Sequence, residues 1–93
     1  MKIKDKILII EDEPNIGHFI SATLNTSGYD AMIAHSGEEA LALFDAADPA
    51  IILLDIMLPG IDGFEVCRRI RAVNTQIGII MLSARTQEMD KVT

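Results

Sequence analysis

Acidic side chains stand directly behind two apolar runs of this sequence. Glu11 and Asp12 follow the run 7–10, and Asp55 follows the run 51–54. If the two runs are neighbouring strands, their carboxylates meet in one pocket, where two unit charges ~5 Å apart repel by ~3 kcal/mol at an effective dielectric of ~20. Such a pocket either holds a proton or binds a hard cation. Mg²⁺ is a suitable cation because it prefers oxygen ligands and is typically held by one or two carboxylates.

A carboxylate beside Mg²⁺ is also a competent nucleophile for phosphoryl transfer. Aspartyl phosphate is a recognised covalent intermediate, and the transfer depends mainly on positioning and on neutralising the phosphoryl oxygens. Asp55 is the best candidate nucleophile because it alone ends the run predicted to be the central strand. Ser83, which follows the run 77–82, is a candidate hydrogen-bond donor to a phosphoryl oxygen, and the backbone carbonyl of Met57 is a candidate metal ligand.

A parallel sheet is the scaffold that brings such strand ends together. Short apolar runs alternate along the chain with helical patterns, which is typical of βαβ units. Ligands of an open parallel sheet bind beyond the carboxyl ends of its strands, where the strand order reverses. Four strands are predicted, over residues 7–10, 29–34, 51–54 and 77–82.

Three helices are predicted between these strands. Pro14 suits the first turn of the first helix, whose apolar residues repeat at helical spacing, and a capping box at 36–39 begins the second. Residues 84–93 have the pattern of a fourth. The apolar residues of the first helix are Ile16, Phe19, Ile20 and Leu24, and those of the third are Phe64, Val66, Cys67 and Ile70. The third helix is also expected to expose its arginines, which are Arg68, Arg69 and Arg71.

Composition bounds the class of protein. The 93 residues suffice for one small domain, and a net charge of −6 argues against direct contact with nucleic acid or anionic lipid. The single cysteine, Cys67, excludes an internal disulfide and is typical of a reducing compartment. No apolar run approaches the ~20 residues of a membrane span. We therefore expect a cytoplasmic protein that does not contact the membrane.

Three stretches carry a resemblance to a known family. "ILIIEDEPNI", "IILLDIMLPGIDGFEVCRRIR" and "IIMLSA" resemble the receiver domain of bacterial two-component response regulators. The resemblance covers residues 1–93 and implies a flavodoxin-like, doubly wound α/β fold with strand order 2-1-3-4-5. It also implies that Asp55 is phosphorylated, that Glu11, Asp12, Asp55 and the Met57 carbonyl bind Mg²⁺, and that Ser83 is the switch hydroxyl.

The family pattern has parts that this sequence lacks. Receivers have a fifth strand that ends in a lysine, and a fifth helix, and Lys91 does not match that lysine position. The expected sheet is therefore 2-1-3-4, in a receiver that is incomplete at its C-terminal end. Its fourth strand would expose an apolar edge, through which copies of the chain could associate. The stretch beginning at Asp55 resembles the subfamily that carries a winged-helix DNA-binding domain, which these 93 residues do not contain.

Three functions from different classes remain open on the sequence. The leading one is a phosphoacceptor that takes its phosphoryl group from a sensor histidine kinase. Such a domain is not an enzyme in the usual sense, because it catalyses at most its own phosphorylation and dephosphorylation. The second is a phosphorylation-deficient interaction module. The third is a Mg²⁺-dependent phosphohydrolase, which is disfavoured because no general-acid aspartate stands two residues after a nucleophile. A plainer hypothesis treats residues 11–13 as a charged loop before a helix N-terminus. His18 and His35 are expected at the surface.

Overall fold

The computed structural model describes residues 5–82, in which strands and helices alternate. Asp55 is the last residue of the third strand, whereas the sequence places it just after the strand, and the starts of the other three strands shift by one residue. The elements are β1 (Lys6–Ile10), α1 (Pro14–Thr26), β2 (Asp30–Ala34), α2 (Gly37–Ala47), β3 (Ile51–Asp55), α3 (Gly63–Val73) and β4 (Gly78–Leu82). The predicted alternation is thus confirmed. The predicted fourth helix at 84–93 lies outside the described residues.

The four strands form one parallel sheet with the order β2-β1-β3-β4. This confirms the predicted flavodoxin-like order 2-1-3-4. Ile10 lies beside Ala34 of β2 on one side and beside Leu54 of β3 on the other. The chain runs outward from β1 to β2 and then crosses to β3 on the other side of β1. The strand order therefore reverses between β1 and β3, and a crevice is expected there beyond the strand ends.

The main hydrophobic core lies between the sheet and the helices α2 and α3. Leu8 and Ile52 point into it from the sheet, and Val66 and Ile70 point into it from α3; all four are fully buried. Burying one aliphatic side chain of this size stabilises the folded chain by about 1.5–3 kcal/mol. Successive strand residues point to opposite faces, so Ile9 faces the other side of the sheet, where α1 lies. The two helix layers thus hold both central strands in place.

Helix α1 forms where predicted, but only part of its apolar repeat lies on its buried face. Ile16 is 49% exposed and Phe19 is 73% exposed. The face of α1 that contacts the sheet runs through Gly17, which is buried and faces Ile33 of β2; an added Cβ would meet the Ile33 side chain at 3.5 Å, an ordinary van der Waals distance. This face also includes the two remaining residues of the predicted repeat, which are half-buried: Ile20 and Leu24.

The prediction that the arginines of α3 are exposed is confirmed for two of the three. Arg68 and Arg69 are exposed and both bind the carboxylate of Glu65. Arg71 is half-buried and donates a hydrogen bond to the backbone carbonyl of Ile77, so the prediction that it points outward is wrong. Its guanidinium joins the end of α3 to the start of β4. Among residues 5–82, no helix is both long enough and apolar enough to cross a membrane.

Candidate functional site

Three carboxylates meet at the carboxyl ends of β1 and β3. One oxygen each from Glu11, Asp12 and Asp55 lies within 4.8 Å of the other two. The parallel pairing of β1 with β3 ends at Ile10 and Leu54, so the residues after them emerge side by side. The structure therefore brings together the three acidic residues that the sequence singles out, and we call them the acidic cluster.

The members of the acidic cluster differ in burial and in hydrogen bonding. Glu11 and Asp55 are buried, at 5% and 8% exposure, whereas Asp12 is exposed. One oxygen of Asp55 accepts the backbone N–H of Met57 at 3.0 Å, and one oxygen of Glu11 accepts the backbone N–H of Glu13 at 3.2 Å. Each buried carboxylate is thus oriented by the loop that follows its strand.

No cationic side chain of residues 5–82 neutralises the acidic cluster. The ion pairs formed within this part of the chain join Glu65 to Arg68 and Arg69, and both lie on the outer surface of α3. Those arginines hold the pKa of the Glu65 carboxyl down at about 2. The acidic cluster has no such support, so its mutual repulsion is relieved by protonation or by a bound cation.

Burial raises the pKa of Glu11 to about 7, with the hydrogen bond to Asp55 and the charges of Asp55 and Asp12 acting in the same direction. The backbone N–H of Glu13 acts in the opposite direction. The low-dielectric surroundings and the nearby carboxylates both disfavour the charged form of Glu11. Without a cation, the acidic cluster therefore holds a proton near neutral pH. This is one of the two outcomes that the sequence predicts for such a pocket.

The raised pKa of Glu11 predicts how stability depends on pH in the metal-free protein. The folded chain keeps the Glu11 proton up to pH about 7, whereas an ordinary glutamate loses it near 4.5. The folded state binds more protons than the unfolded state across this window, so the free energy of unfolding should fall as pH rises through it. Denaturant unfolding in a chelator at several pH values measures this.

Glu11→Gln is the control for the pH prediction, because the amide cannot titrate. The variant should be the more stable form at the alkaline end of the window, and its advantage should shrink toward the acid end. Parallel stability curves for the wild type and Glu11→Gln would contradict the prediction. Glu65 does not interfere, because its titration lies below this window.

The donor set of the acidic cluster suits a hard divalent cation. Three carboxylate oxygens within 4.8 Å of one another supply the ligand type and the negative charge that Mg²⁺ favours. Met57 lies in the loop directly after Asp55, where its carbonyl could complete such a site. An open groove of about 520 Å³ adjoins the cluster, and its lining consists of Asp12, Ile56, Met57, Leu58, Pro59, Asp62 and Phe64.

The loop 56–62, which joins β3 to α3, is anchored next to the acidic cluster. The N–H of Ile56 donates to the carbonyl of Leu82 in β4 at 3.0 Å, and the N–H of Gly63 donates to the carbonyl of Ile56 at 3.0 Å. Gly63 lies so close to β3 that an added Cβ would be 2.6 Å from the backbone oxygen of Asp55. Asp62 caps α3 by accepting the N–H of Glu65. The sequence predicts turns in this loop at positions 59–60 and 62–63.

One long-range contact of this loop has no counterpart in the sequence analysis. Glu38 of α2 accepts the backbone N–H of Ile61 at 3.3 Å across 23 positions of sequence. The sequence assigns Glu38 only to the capping box, of which the bond from the Glu39 N–H to the Ser36 hydroxyl is present. No local pattern carries a signal for such a contact, because it depends on how two helices pack.

The remaining predicted residues are placed as follows. His18 and His35 are exposed, as predicted. Glu13 caps α1 by accepting the N–H of Asn15, so the plainer hypothesis of acids at a helix N-terminus holds for that one residue of the acidic run. Ser83 lies outside the described residues, as does Lys91.

Comparison with known proteins decides the family. The family model described as the response regulator receiver domain matches residues 7–93. This chain belongs to that family. The match spans all seven described elements except the first residue of β1. The resemblance read from the three sequence stretches is confirmed.

Curated relatives of this receiver are transcriptional regulators. The transcriptional regulatory protein TrcR of Mycobacterium tuberculosis is 40% identical over 88 residues, which are 95% of this chain and 34% of TrcR. The alkaline phosphatase synthesis transcriptional regulatory protein PhoP of Bacillus subtilis is 44% identical over 87 residues, which are 94% of this chain and 36% of PhoP. The receiver therefore spans about a third of the length of these two relatives.

A solved structure supports the same fold. The response regulator TrrA of Thermotoga maritima, crystallised in complex with Mg²⁺-BeF, superposes with a TM-score of 0.84 at 36% identity. The superposition covers 95% of this receiver and 76% of the TrrA chain. The arrangement of strands and helices around the acidic cluster is thus that of a receiver.

Proposed function

We propose that this receiver accepts a phosphoryl group on Asp55 from a sensor histidine kinase, with the help of Mg²⁺. The observation that carries the proposal is the acidic cluster: three carboxylates from two central strands meet beside an open groove, without a cationic partner among residues 5–82. A buried carboxylate whose orientation is fixed by a backbone hydrogen bond is a suitable phosphoryl acceptor. Asp55 has this arrangement.

In the proposed reaction, the oxygen of Asp55 that does not accept the Met57 N–H attacks the phosphorus of a phosphohistidine in line with the leaving nitrogen. A P–O bond forms, the P–N bond breaks, and the imidazole nitrogen leaves with the electron pair and takes up a proton. Glu11, Asp12, Asp55 and the Met57 carbonyl would hold the metal. Bound Mg²⁺ supplies positive charge against the cluster and the phosphoryl oxygens. Ser83 is proposed to donate a hydrogen bond to one of those oxygens.

The proposed output is transcriptional. Both curated relatives are named as transcriptional regulatory proteins, and this receiver corresponds to about a third of their length. We propose that residues 1–93 act as the receiver of a longer cytoplasmic regulator, in which phosphorylation changes the state of an output domain. With a net charge of −6, these residues are not themselves proposed to contact DNA.

Intact-mass spectrometry tests the proposed function. The 93-residue chain is incubated with a small-molecule phosphodonor, once with Mg²⁺ and once with a chelator. The expected result is a mass increase of one phosphoryl group that requires Mg²⁺. No increase with Mg²⁺ would overturn phosphoryl acceptance by this chain and would favour the phosphorylation-deficient interaction module.

We also propose that copies of this chain associate through β4. Within residues 5–82, β4 ends the sheet order, and its Ile80 is 52% exposed. Apolar strands at a sheet edge are templates for pairing, and a lysine on such a strand discourages it. Light scattering should show mass rising with concentration for the wild type and a monomer for Ile80→Lys. Val73→Lys is the control, because Val73 is an exposed residue of α3, and it should associate like the wild type. A wild-type chain that stays monomeric would contradict the proposal.

A further inference from the structure

We propose that Glu38 is a positioning residue for the phosphoacceptor site, and that its carboxylate holds the loop that carries Met57. This inference rests on the proposed function, because it gives the loop 56–62 a role in metal binding. Glu38 does not belong to the acidic cluster. It lies on α2, and its proposed action reaches the metal only through the backbone of the loop.

The contact between Glu38 and the loop is both a hydrogen bond and close packing. One oxygen of Glu38 accepts the N–H of Ile61 at 3.3 Å. The same oxygen would lie 2.6 Å from a Cβ added at Gly60, so the carboxylate rests against the bare backbone there. Gly60 has φ of +73°, a conformation that glycine adopts without strain. The left-handed turn and the missing side chain at Gly60 together admit the Glu38 carboxylate.

Glu38 stands on a rigid support. The N-terminus of α2 is capped by the Ser36 hydroxyl, which accepts the N–H of Glu39 at 3.1 Å. Gly37 is buried, and an added Cβ would lie 2.5 Å from the Val66 side chain and 2.7 Å from that of Ile61. The first turn of α2 is therefore packed directly against α3 and the end of the loop. A carboxylate mounted there can restrain the loop.

The loop is held at its other end by the acceptor itself. Met57 donates its N–H to Asp55, and Ile56 donates its N–H to the carbonyl of Leu82. Leu58 is buried and gives the middle of the loop an apolar anchor. The Glu38 contact adds a polar restraint four residues after Met57. Mg²⁺ demands near-ideal octahedral geometry, so a loosened carbonyl should weaken its binding.

Calorimetric titration of the whole 93-residue chain with Mg²⁺ tests the proposed role. Glu38→Ala removes the acceptor, whereas Glu38→Gln removes the same charge and keeps an oxygen that can accept the Ile61 N–H. Glu38→Ala should weaken Mg²⁺ binding by ~10-fold, the lower end of the effect of groups that orient metal ligands. Glu38→Gln should stay close to the wild type. Because the two variants have equal charge, their difference isolates the hydrogen bond.

Glu39→Ala is the matched control, since it removes a neighbouring exposed carboxylate from the same helix turn. A carboxylate near a helix N-terminus also stabilises the helix, and both alanine variants lose that effect. Only Glu38→Ala should lose Mg²⁺ affinity beyond the small decrease common to both charge removals. The proposal is overturned if Glu38→Ala binds Mg²⁺ like Glu39→Ala, or if Glu38→Gln binds as weakly as Glu38→Ala.

Hydrogen exchange of the Ile61 amide separates this inference from the proposed function. In the metal-free protein, the amide should exchange faster in Glu38→Ala than in Glu38→Gln or the wild type. An unchanged rate in Glu38→Ala would show that the carboxylate does not hold the loop, whatever the chain binds. A wild-type chain that takes neither Mg²⁺ nor phosphoryl would instead overturn the proposed function, even if the Ile61 amide responds as expected.

Discussion

Asp55→Asn should abolish phosphoryl acceptance. Asparagine keeps the shape of the side chain and the oxygen that accepts the Met57 N–H at 3.0 Å, but its amide is not a nucleophile toward phosphorus. The expected intact-mass spectrum, after incubation with a small phosphodonor and Mg²⁺, has no phosphorylated species. The loss should be complete, because Asp55 is the one carboxylate of the acidic cluster that ends β3.

The fold should survive the Asp55→Asn change. The charge and hydrogen bond of Asp55 help to raise the pKa of Glu11, so removing that charge relieves repulsion in the metal-free protein. Denaturant unfolding should therefore find the variant at least as stable as the wild type. This separates loss of the acceptor from loss of the structure.

Asp62→Asn is the control for the acceptor prediction. Asp62 also lines the groove beside the acidic cluster, and asparagine is as good an N-cap residue as aspartate for α3. This variant should be phosphorylated like the wild type. Phosphorylation of Asp55→Asn to the wild-type extent would mean that another carboxylate, with the exposed Asp12 the first to examine, is the acceptor.

Asp12→Ala should weaken Mg²⁺ binding more than any other change outside Asp55. The variant loses one of the three carboxylate oxygens that lie within 4.8 Å of one another. Altering groups that merely orient a metal ligand weakens metal affinity by ~10–100-fold, and removing a ligand should weaken it at least as much. Calorimetric titration with Mg²⁺ measures the loss.

The same substitution should leave the metal-free fold intact or more stable. Asp12 is exposed, so no cavity forms, and its charge is one of those that raise the pKa of Glu11. Thermal unfolding in a chelator should show an unchanged or higher midpoint for Asp12→Ala. Added Mg²⁺ should then raise the midpoint of the wild type much more than that of the variant, because only tight binding to the folded state adds stability.

Glu13→Gln controls for charge in the Asp12 experiment. It removes one negative charge from the adjacent residue and keeps an oxygen that can accept the Asn15 N–H at the start of α1. Its Mg²⁺ affinity should fall only slightly. If Asp12→Ala titrated like Glu13→Gln, Asp12 would contribute net charge to the site and not a ligand.

The sequence by itself determined the elements and the chemical character of the site. Strands of four to six residues and helices of three turns leave a local periodic signal, so their alternation was readable without a structure. The acidic residues directly behind the first and third apolar runs are also a local feature of the sequence. Their like charges predict a bound cation or a bound proton. The neighbouring position of β1 and β3 came from the family resemblance, since periodicity does not specify strand order.

The tertiary structure decided which faces are buried and which distant groups touch. Ile16 and Phe19 have the spacing of a buried stripe, yet α1 packs on the sheet along the face that contains Gly17, so both are exposed. The helical pattern predicts Arg71 in solvent, but its guanidinium lies near the start of β4 and donates a hydrogen bond to the Ile77 carbonyl. Periodicity predicts that a helix has an apolar face, but it does not predict how the helix is rotated about its axis when it packs on the sheet.

The electrostatics and support of the site also depend on the assembled fold. The pKa of Glu11 is raised because Glu11 is buried and because Asp55 lies close to it. The fold brings these two residues together at the ends of two strands, although they lie more than forty residues apart in sequence. The bond between Glu38 and Ile61 spans 23 positions, and the Glu38 carboxylate occupies the space that a side chain at position 60 would fill. Contacts of this kind are set by helix packing and loop geometry, and the local sequence pattern contains neither.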